Sequence, residues 1–269
     1  MDLLKHGLPI HPENRQLNQR ILFMKIIPLS EGSFTIDKTK VFVPFNAEKD
    51  ELQQRAVGSL LVEVQPFAIV TASDVLLIDA GLGFSIDGEL QLHKNLRANR
   101  IEPDAVTKVL MSHLHKDHAG GVSVKDTLGN YQLAFPQATY YVQQQEIDYA
   151  FEKGFPSYIT EELMVLKDNP SVTILNGSGI IDDYIYYEIS GGHCPYHQVF
   201  RIEEDGETAF FGGDVAPQLQ QMKSRIVAKY DFDGKKSMEL RQLWWQIGQQ
   251  QEWSFLFYHD IKHPVISLS

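Results

Sequence analysis

The stretch Val106-Thr107-Lys108-Val109-Leu110-Met111 runs directly into Ser112-His113-Leu114-His115-Lys116-Asp117-His118, and Ala119-Gly120-Gly121 follows. The β-branched and apolar run at 106–111 predicts a strand, which opens without a turn signal into three histidines and an aspartate. If strand geometry persists for a few residues, His113 and His115 project to one side, because the side-chain period is two, and they can share a cation. Asp117 and His118 are adjacent, so they diverge and can serve a second cation close by. Imidazole with carboxylate is the ligand set of zinc or a similar first-row divalent metal. The bland alternative is a polar turn that happens to be rich in His. The glycine pair behind the cluster and the return of ligand types downstream weigh against it.

Those returns come at ends of further apolar runs. His193 and His197 sit in Gly191-Gly192-His193-Cys194-Pro195-Tyr196-His197, Asp214 in Gly212-Gly213-Asp214, and His259 in Tyr258-His259-Asp260. Upstream, Asp79 opens Asp79-Ala80-Gly81-Leu82-Gly83 after a run at 75–78. Together they offer a third ligand to the first cation, a carboxylate bridge, and a third ligand to the second. Two such metals can activate a bridging water and clamp a carbonyl or phosphoryl oxygen.

Around these points the pattern predicts strands at 24–29, 33–36, 59–64, 67–72, 75–78, 138–142, 171–175, 184–189, 198–202, 208–211 and 254–258. Helices are predicted at 91–101, 145–153 and 238–250, the last holding Trp244 and Trp245. Strands in groups with helices between them imply a two-sheet core with helices outside. Residues 1–23 are polar and aperiodic and read as an N-terminal tail outside the core. Residues 24–269 read as one domain, with no repeat or linker.

Composition narrows the partners. The chain has 24 basic and 35 acidic residues in 269, a formal charge of −11, with 43% hydrophobic and 22% charged residues. These are globular values. The acidic balance argues against nucleic acid and anionic membrane, whose phosphates it would repel, and leaves a small-molecule substrate. The single cysteine, Cys194, rules out an internal disulfide and suits a reducing, cytoplasmic setting. No apolar run approaches the roughly 18 residues that span a bilayer. His93 and His263 fit no motif and are expected to face solvent.

Asp79, the His113–His118 cluster, His193, Asp214 and His259, in that order, resemble the five motifs of the metallo-β-lactamase superfamily from residue 24 to the C-terminus. The resemblance implies an αββα four-layer sandwich, two mixed β-sheets flanked by helices, with the site at one edge of the sheets. It implies two divalent metal ions, expected to be zinc. His113, His115 and His193 would hold one, Asp117, His118 and His259 the other, with Asp214 bridging. Asp79 matches an outer residue that orients the ligand loop, and His197 is expected to make a structural hydrogen bond near the site.

Ser112-His113-Leu114-His115, Tyr140-Tyr141-Val142-Gln143, His193-Cys194-Pro195-Tyr196-His197-Gln198 and Phe257-Tyr258-His259-Asp260 are similar to the quorum-quenching N-acyl-homoserine lactonases. That branch implies lactone opening by a metal-bridging hydroxide, with Asp117 as proton donor to the leaving alkoxide. Organophosphate triesterases and other ester or thioester hydrolases share these features and form the alternative. The branch's Tyr three residues after the bridging Asp is here Pro217, which leaves Tyr196 as a candidate substitute substrate contact, set against the plainer reading that it packs. Glyoxalase II would carry a trailing helical domain, and common zinc β-lactamases would put Cys at 214. Diiron reductases would replace a cluster His by Glu, and processing nucleases would add a domain or a basic arm. A non-catalytic metal-binding scaffold would be expected to have lost a ligand, and all seven stand. Oligomeric state is open, a homodimer included.

Overall fold

Apolar alternation at 67–78 and at 185–211 feeds two different sheets in the computed structural model, which describes residues 24–268. The expected tail at 1–23 lies outside the described residues. The first sheet runs Lys25–Pro28, Phe67–Val70, Val75–Ile78, Lys108–Leu110, Thr139–Gln143, Val172–Leu175. Its first two junctions are antiparallel and its last four strands are parallel. The second runs Gly179–Ile181, Ile185–Ile189, Gln198–Glu204, Glu207–Phe211, Ser254–Leu256, Val265–Ser267. It is antiparallel except where Glu207–Phe211 meets Ser254–Leu256.

The period of two assigns each strand residue to a layer. Phe67, Ile69, Leu76, Ile78 and Leu110 of the first sheet meet Phe200, Ile202, Phe211 and Leu256 of the second, forming the inter-sheet core. Ala68, Leu77, Val109, Tyr140 and Val142 point the other way, under Leu92 and Leu96 of the helix Gln91–Ala98 and Ile147 and Ala150 of the helix Gln144–Lys153. On the far side, Val199, Phe210 and Phe255 pack under Trp244 of the helix Gly234–Gln251. Asp233 caps that helix, accepting from the Lys236 backbone N–H. Helix, sheet, sheet, helix: the molecule is the αββα sandwich.

A three-stranded sheet, Phe42–Pro44, Gly32–Ile36 and Leu60–Val64, is hydrogen-bonded separately from these two and adds Phe34, Val62 and Val64 to the inter-sheet core. Pairing directions bring the C-terminal ends of Val75–Ile78 and Lys108–Leu110 to one edge of the first sheet. Those of Ile185–Ile189, Glu207–Phe211 and Ser254–Leu256 likewise share one edge of the second. Crevices outside the carboxyl ends of strands are where such sheets bind ligands. No helix among the described residues is long and apolar enough to cross a membrane.

Candidate metal centre

Every motif residue follows a strand end. The strand stops at Leu110, so the ligand loop is not a continued strand as the period-two argument supposed. It runs through residues 111–115 into the helical turn Lys116–Ala119. Gly120 and Gly121 are there for close approach. A Cβ on either would collide with the carbonyl oxygens of Leu82 and Ala80 in the loop that Asp79 begins. Asp79 itself takes φ 56°, a left-handed conformation that Asp visits more readily than most residues.

Two groups of side chains converge. In the first, His113 Nε2 and His193 Nε2 lie 3.0 and 3.1 Å from His115 Nδ1, and Asp214 Oδ2 lies 3.3 Å from His193 Nε2. In the second, His118 Nε2 and His259 Nε2 each lie 3.1 Å from Asp214 Oδ1, and Asp117 Oδ2 lies 3.6 and 3.5 Å from those two nitrogens. Each group could hold a metal ion, its donor atoms all falling within 4.8 Å of one another.

The donors fit a divalent metal on chemical grounds. Three ring nitrogens crowded this closely cannot all be satisfied by protons shared among themselves. Ligands at about 2.0–2.1 Å on a tetrahedral zinc stand roughly 3.3 Å apart, close to the spacings here. His118 Nε2 and Asp214 Oδ1, though 3.1 Å apart, are buried without an aligned hydrogen bond, an arrangement that costs free energy unless something coordinates them. Asp214 presents one oxygen to each group, the geometry of a bridge.

The outer nitrogens are tied down. His118 Nδ1 meets Asp79 Oδ2 at 2.7 Å, and Asp79 also accepts from the Ser112 backbone N–H and hydroxyl, each at 2.7 Å. His113 Nδ1 lies 3.0 Å from Ser112 Oγ, and His259 Nδ1 donates to the Glu63 carbonyl at 2.6 Å. His197 Nε2 accepts from the Asp214 backbone N–H at 3.1 Å and its Nδ1 meets Ser190 Oγ, so it holds the bridge's backbone. Such partners fix tautomer and ring orientation.

Burial sets the electrostatics. It drives His113 and His115 well below the usual imidazole range, with neighbouring histidines adding to the effect, which leaves their nitrogens free to ligate. Burial also opposes charge on His118 and His259, but Asp214 and Asp117 outweigh it and raise both. The same histidines hold Asp214 well below the carboxylate range against its own burial.

The centre forms the floor of a cavity of about 600 Å³, with Ile36, Phe42, Leu60, Leu61 and Val62 on its walls. The sequence profile of the Metallo-beta-lactamase superfamily matches residues 62–241. The chain belongs to the metallo-beta-lactamase superfamily. It is 32% identical over 120 residues to the N-acyl homoserine lactonase AttM of Azorhizobium caulinodans, an overlap that spans 40% of each chain. Its fold is similar to that of a probable metal-dependent hydrolase from Staphylococcus aureus, with TM-score 0.72, 24% identity, and 91% and 92% of the two chains covered. It is also similar to AidC, a dizinc quorum-quenching lactonase, with TM-score 0.67, 17% identity, and 90% and 89% covered.

Within this superfamily fold Tyr196 takes its packing role, and His93 departs from expectation. Tyr196 does not line the cavity; its ring stands edge-on to Tyr149, centroids 5.9 Å apart. The phenol that does line it is Tyr230, with its ring 6.1 Å from that of His193 and its hydroxyl near the Gln221 side chain. His93 is half-buried, 3.0 Å from the Ala134 carbonyl, rather than solvent-facing.

No motif marks Asp231, yet its carboxylate stands 3.0 Å from His193 Nδ1. Both Tyr230 and Asp231 lie between Met222 and Gly234, in a segment with no apolar period and no motif to flag it. Cys194 points its thiol to Glu146 Oε2 at 3.5 Å, where burial raises the thiol well above its usual value.

Proposed function

We propose that this chain is a metal-dependent hydrolase that opens lactones of the N-acyl-homoserine type. The observation that carries the reading is a pair of ligand groups sharing Asp214 on the floor of an apolar-walled cavity. The overlap with AttM, confined to two-fifths of each chain, supports the lactone as substrate class.

His113, His115 and His193 would hold one zinc-class ion, Asp117, His118 and His259 the second, with Asp214 serving both. Bound there, such ions supply activation of water near neutral pH and polarisation of the carbonyl oxygen. Ile36, Phe42, Leu61 and Val62 take the acyl chain and keep bulk water from it. Asp117, whose side chain is 11% exposed and lines the cavity, carries a proton to the departing alkoxide as the ring opens. Tyr230 stays a neutral phenol at working pH, since burial pushes it up to about 12, and so donates a hydrogen bond to the substrate carbonyl. Asp79, Ser112, Asp231 and the Glu63 carbonyl keep the imidazoles aimed. The buried, reduced Cys194 fits a cytoplasmic enzyme.

Turnover by the metal-loaded chain of a panel containing an N-acyl-homoserine lactone, a simple lactone, an aryl ester, a paraoxon-like triester and a thioester tests this reading. The homoserine lactone is expected to be hydrolysed fastest. A faster triester or thioester would move the assignment to that class, and no turnover of any would end it.

A further inference from the structure

Apart from the metal-ligating side chains, the charged residues lining the cavity are four lysines, Lys38, Lys40, Lys116 and Lys229, against a single carboxylate, Asp37. In a chain with 24 basic and 35 acidic residues, this local sign reverses the average. Elsewhere lysines find carboxylates: Lys94 with Asp87, Lys108 with Asp74, Lys235 with Glu239. Among the described residues none of the four cavity lysines makes an ion pair.

They come from three places in the chain. Lys38 and Lys40 sit in the turn after Gly32–Ile36, Lys116 opens the helical turn beside the ligand loop, and Lys229 lies in the segment leading to Tyr230. Lys116 Nζ stands 5.9 Å from the ring centres of both Phe42 and Phe155. Lys40 is near enough that its charge bears on both Lys116 and His115. Asp117 and Asp37 stand near Lys116 and Lys38 without forming ion pairs with them, and the lysines, outnumbering the carboxylates of the lining, repel one another. In a cleft with apolar walls they focus a positive field toward the mouth.

We propose that the cavity selects an amphiphilic anion: a lactone or ester whose apolar stem lies along Phe42, Leu61 and Val62 and whose far end carries a carboxylate or a phosphate held by Lys40, Lys116 and Lys229. The scissile part of this assignment rests on the hydrolase reading above, while the selection of an anion rests on the lining itself.

Three N-acyl-homoserine lactones of equal chain length, ending in methyl, carboxylate or phosphate, are compared on the zinc-loaded chain. At low salt kcat/KM for a charged terminus is expected to exceed that for methyl by at least about tenfold, as steering and pairing allow. The advantage should shrink to about twofold near 1 M salt, where the Debye length falls to about 3 Å. The double variant K40E/K229E should reverse the order, and the better of the carboxylate and phosphate arms names the anion. Equal kcat/KM for the three termini at low salt, or a preference that neither salt nor K40E/K229E moves, overturns the proposal.

A binding arm separates this from the hydrolase reading. Calorimetric titration with 1-octanesulfonate, whose sulfonate is a poor zinc ligand, should give at least about tenfold tighter binding than 1-octanol. If no lactone is hydrolysed but this difference holds, the lactonase reading falls and the anion site stands. If the two bind alike, the anion site falls whatever the lactones do.

Discussion

Asp231 Oδ1 lies 3.0 Å from Nδ1 of His193, and the Asp231 side chain is 1% exposed. His193 can therefore keep its proton on the outer nitrogen and turn Nε2 to the centre. The contact is braced from both sides. The Phe232 and Asp233 backbone N–H groups donate to the carbonyls of His193 and Gly192, and buried Arg241 clamps the Val215 and Ile226 carbonyls. Replacing Asp231 by Ala should weaken metal binding about 10- to 100-fold, as loss of an outer carboxylate does. Chelator competition would measure this directly. Asp231→Asn, whose amide oxygen can still accept the proton, should fall between; equal affinity in all three proteins would remove Asp231 from the metal centre.

Asp214 stands in both ligand groups, so its loss should be felt twice. Asp214→Ala is expected to abolish turnover and to drop metal content, measured by mass spectrometry after reconstitution, from two ions to fewer than one. His113→Ala strips one group only, and should keep the ion held by Asp117, His118 and His259. An Asp214→Ala protein that retains both ions would refute the bridge.

Glu146 supplies a pH signature from beneath the loops that carry His113, His115 and His193. Its carboxyl accepts from the Leu114 backbone N–H at 3.0 Å and from the Tyr158 hydroxyl, with the Cys194 thiol against its other oxygen. Burial pushes it from 4.5 up to about 7. A raised carboxyl binds its proton more tightly folded than unfolded. Its stabilising contribution is therefore complete below pH 4.5 and lost as pH rises to about 7, a swing of about 3 kcal/mol. Glu146→Gln imitates the protonated form. The unfolding free energy of wild type minus that of Glu146→Gln should thus fall by that order between pH 4.5 and 7.5 in denaturant titrations, and a pH-independent difference would contradict it.

What the amino-acid pattern disclosed and what it hid divide on physical lines. The residues of the two candidate ligand groups are legible because each is a rare ligand type set at the end of a strand whose apolar alternation is itself local. The two-sheet core followed from the same alternation, with Ile69 and Leu76 turned one way and Ala68 and Leu77 the other. Strands of two or three residues, such as Phe42–Pro44 and Ser85–Ile86, are too short to show a period and exist through their pairing partners. Asp231 and Tyr230 reach the centre by tertiary contact from an aperiodic segment, so spacing along the chain says nothing of them. Of the two roles open to Tyr196 the structure shows packing, because proximity in sequence to His193 does not set side-chain direction. Pro195 and Tyr196 lead into a strand, and the ring packs on Tyr149 of the neighbouring helix.

Pro217 lines the cavity where the lactonase branch has Tyr, and its side chain has no donor. Tyr230 faces the same cavity from the segment leading to Asp231, its ring 6.1 Å from that of His193. Losing one donor to a developing oxyanion costs about 2.7–4 kcal/mol, or about 10²–10³ in rate. Tyr230→Phe removes only the hydroxyl, so the walls and the metal ligands remain. It should lower kcat on the lactone by about 10²-fold with little change in KM and none in metal content. Tyr196→Phe, on the Tyr149 side and outside the cavity, should leave kcat within about twofold, a surface-scale effect. A rise in KM alone for Tyr230→Phe would mean that the ring bounds the pocket without touching the carbonyl. Equal losses in the two variants would return the role to Tyr196.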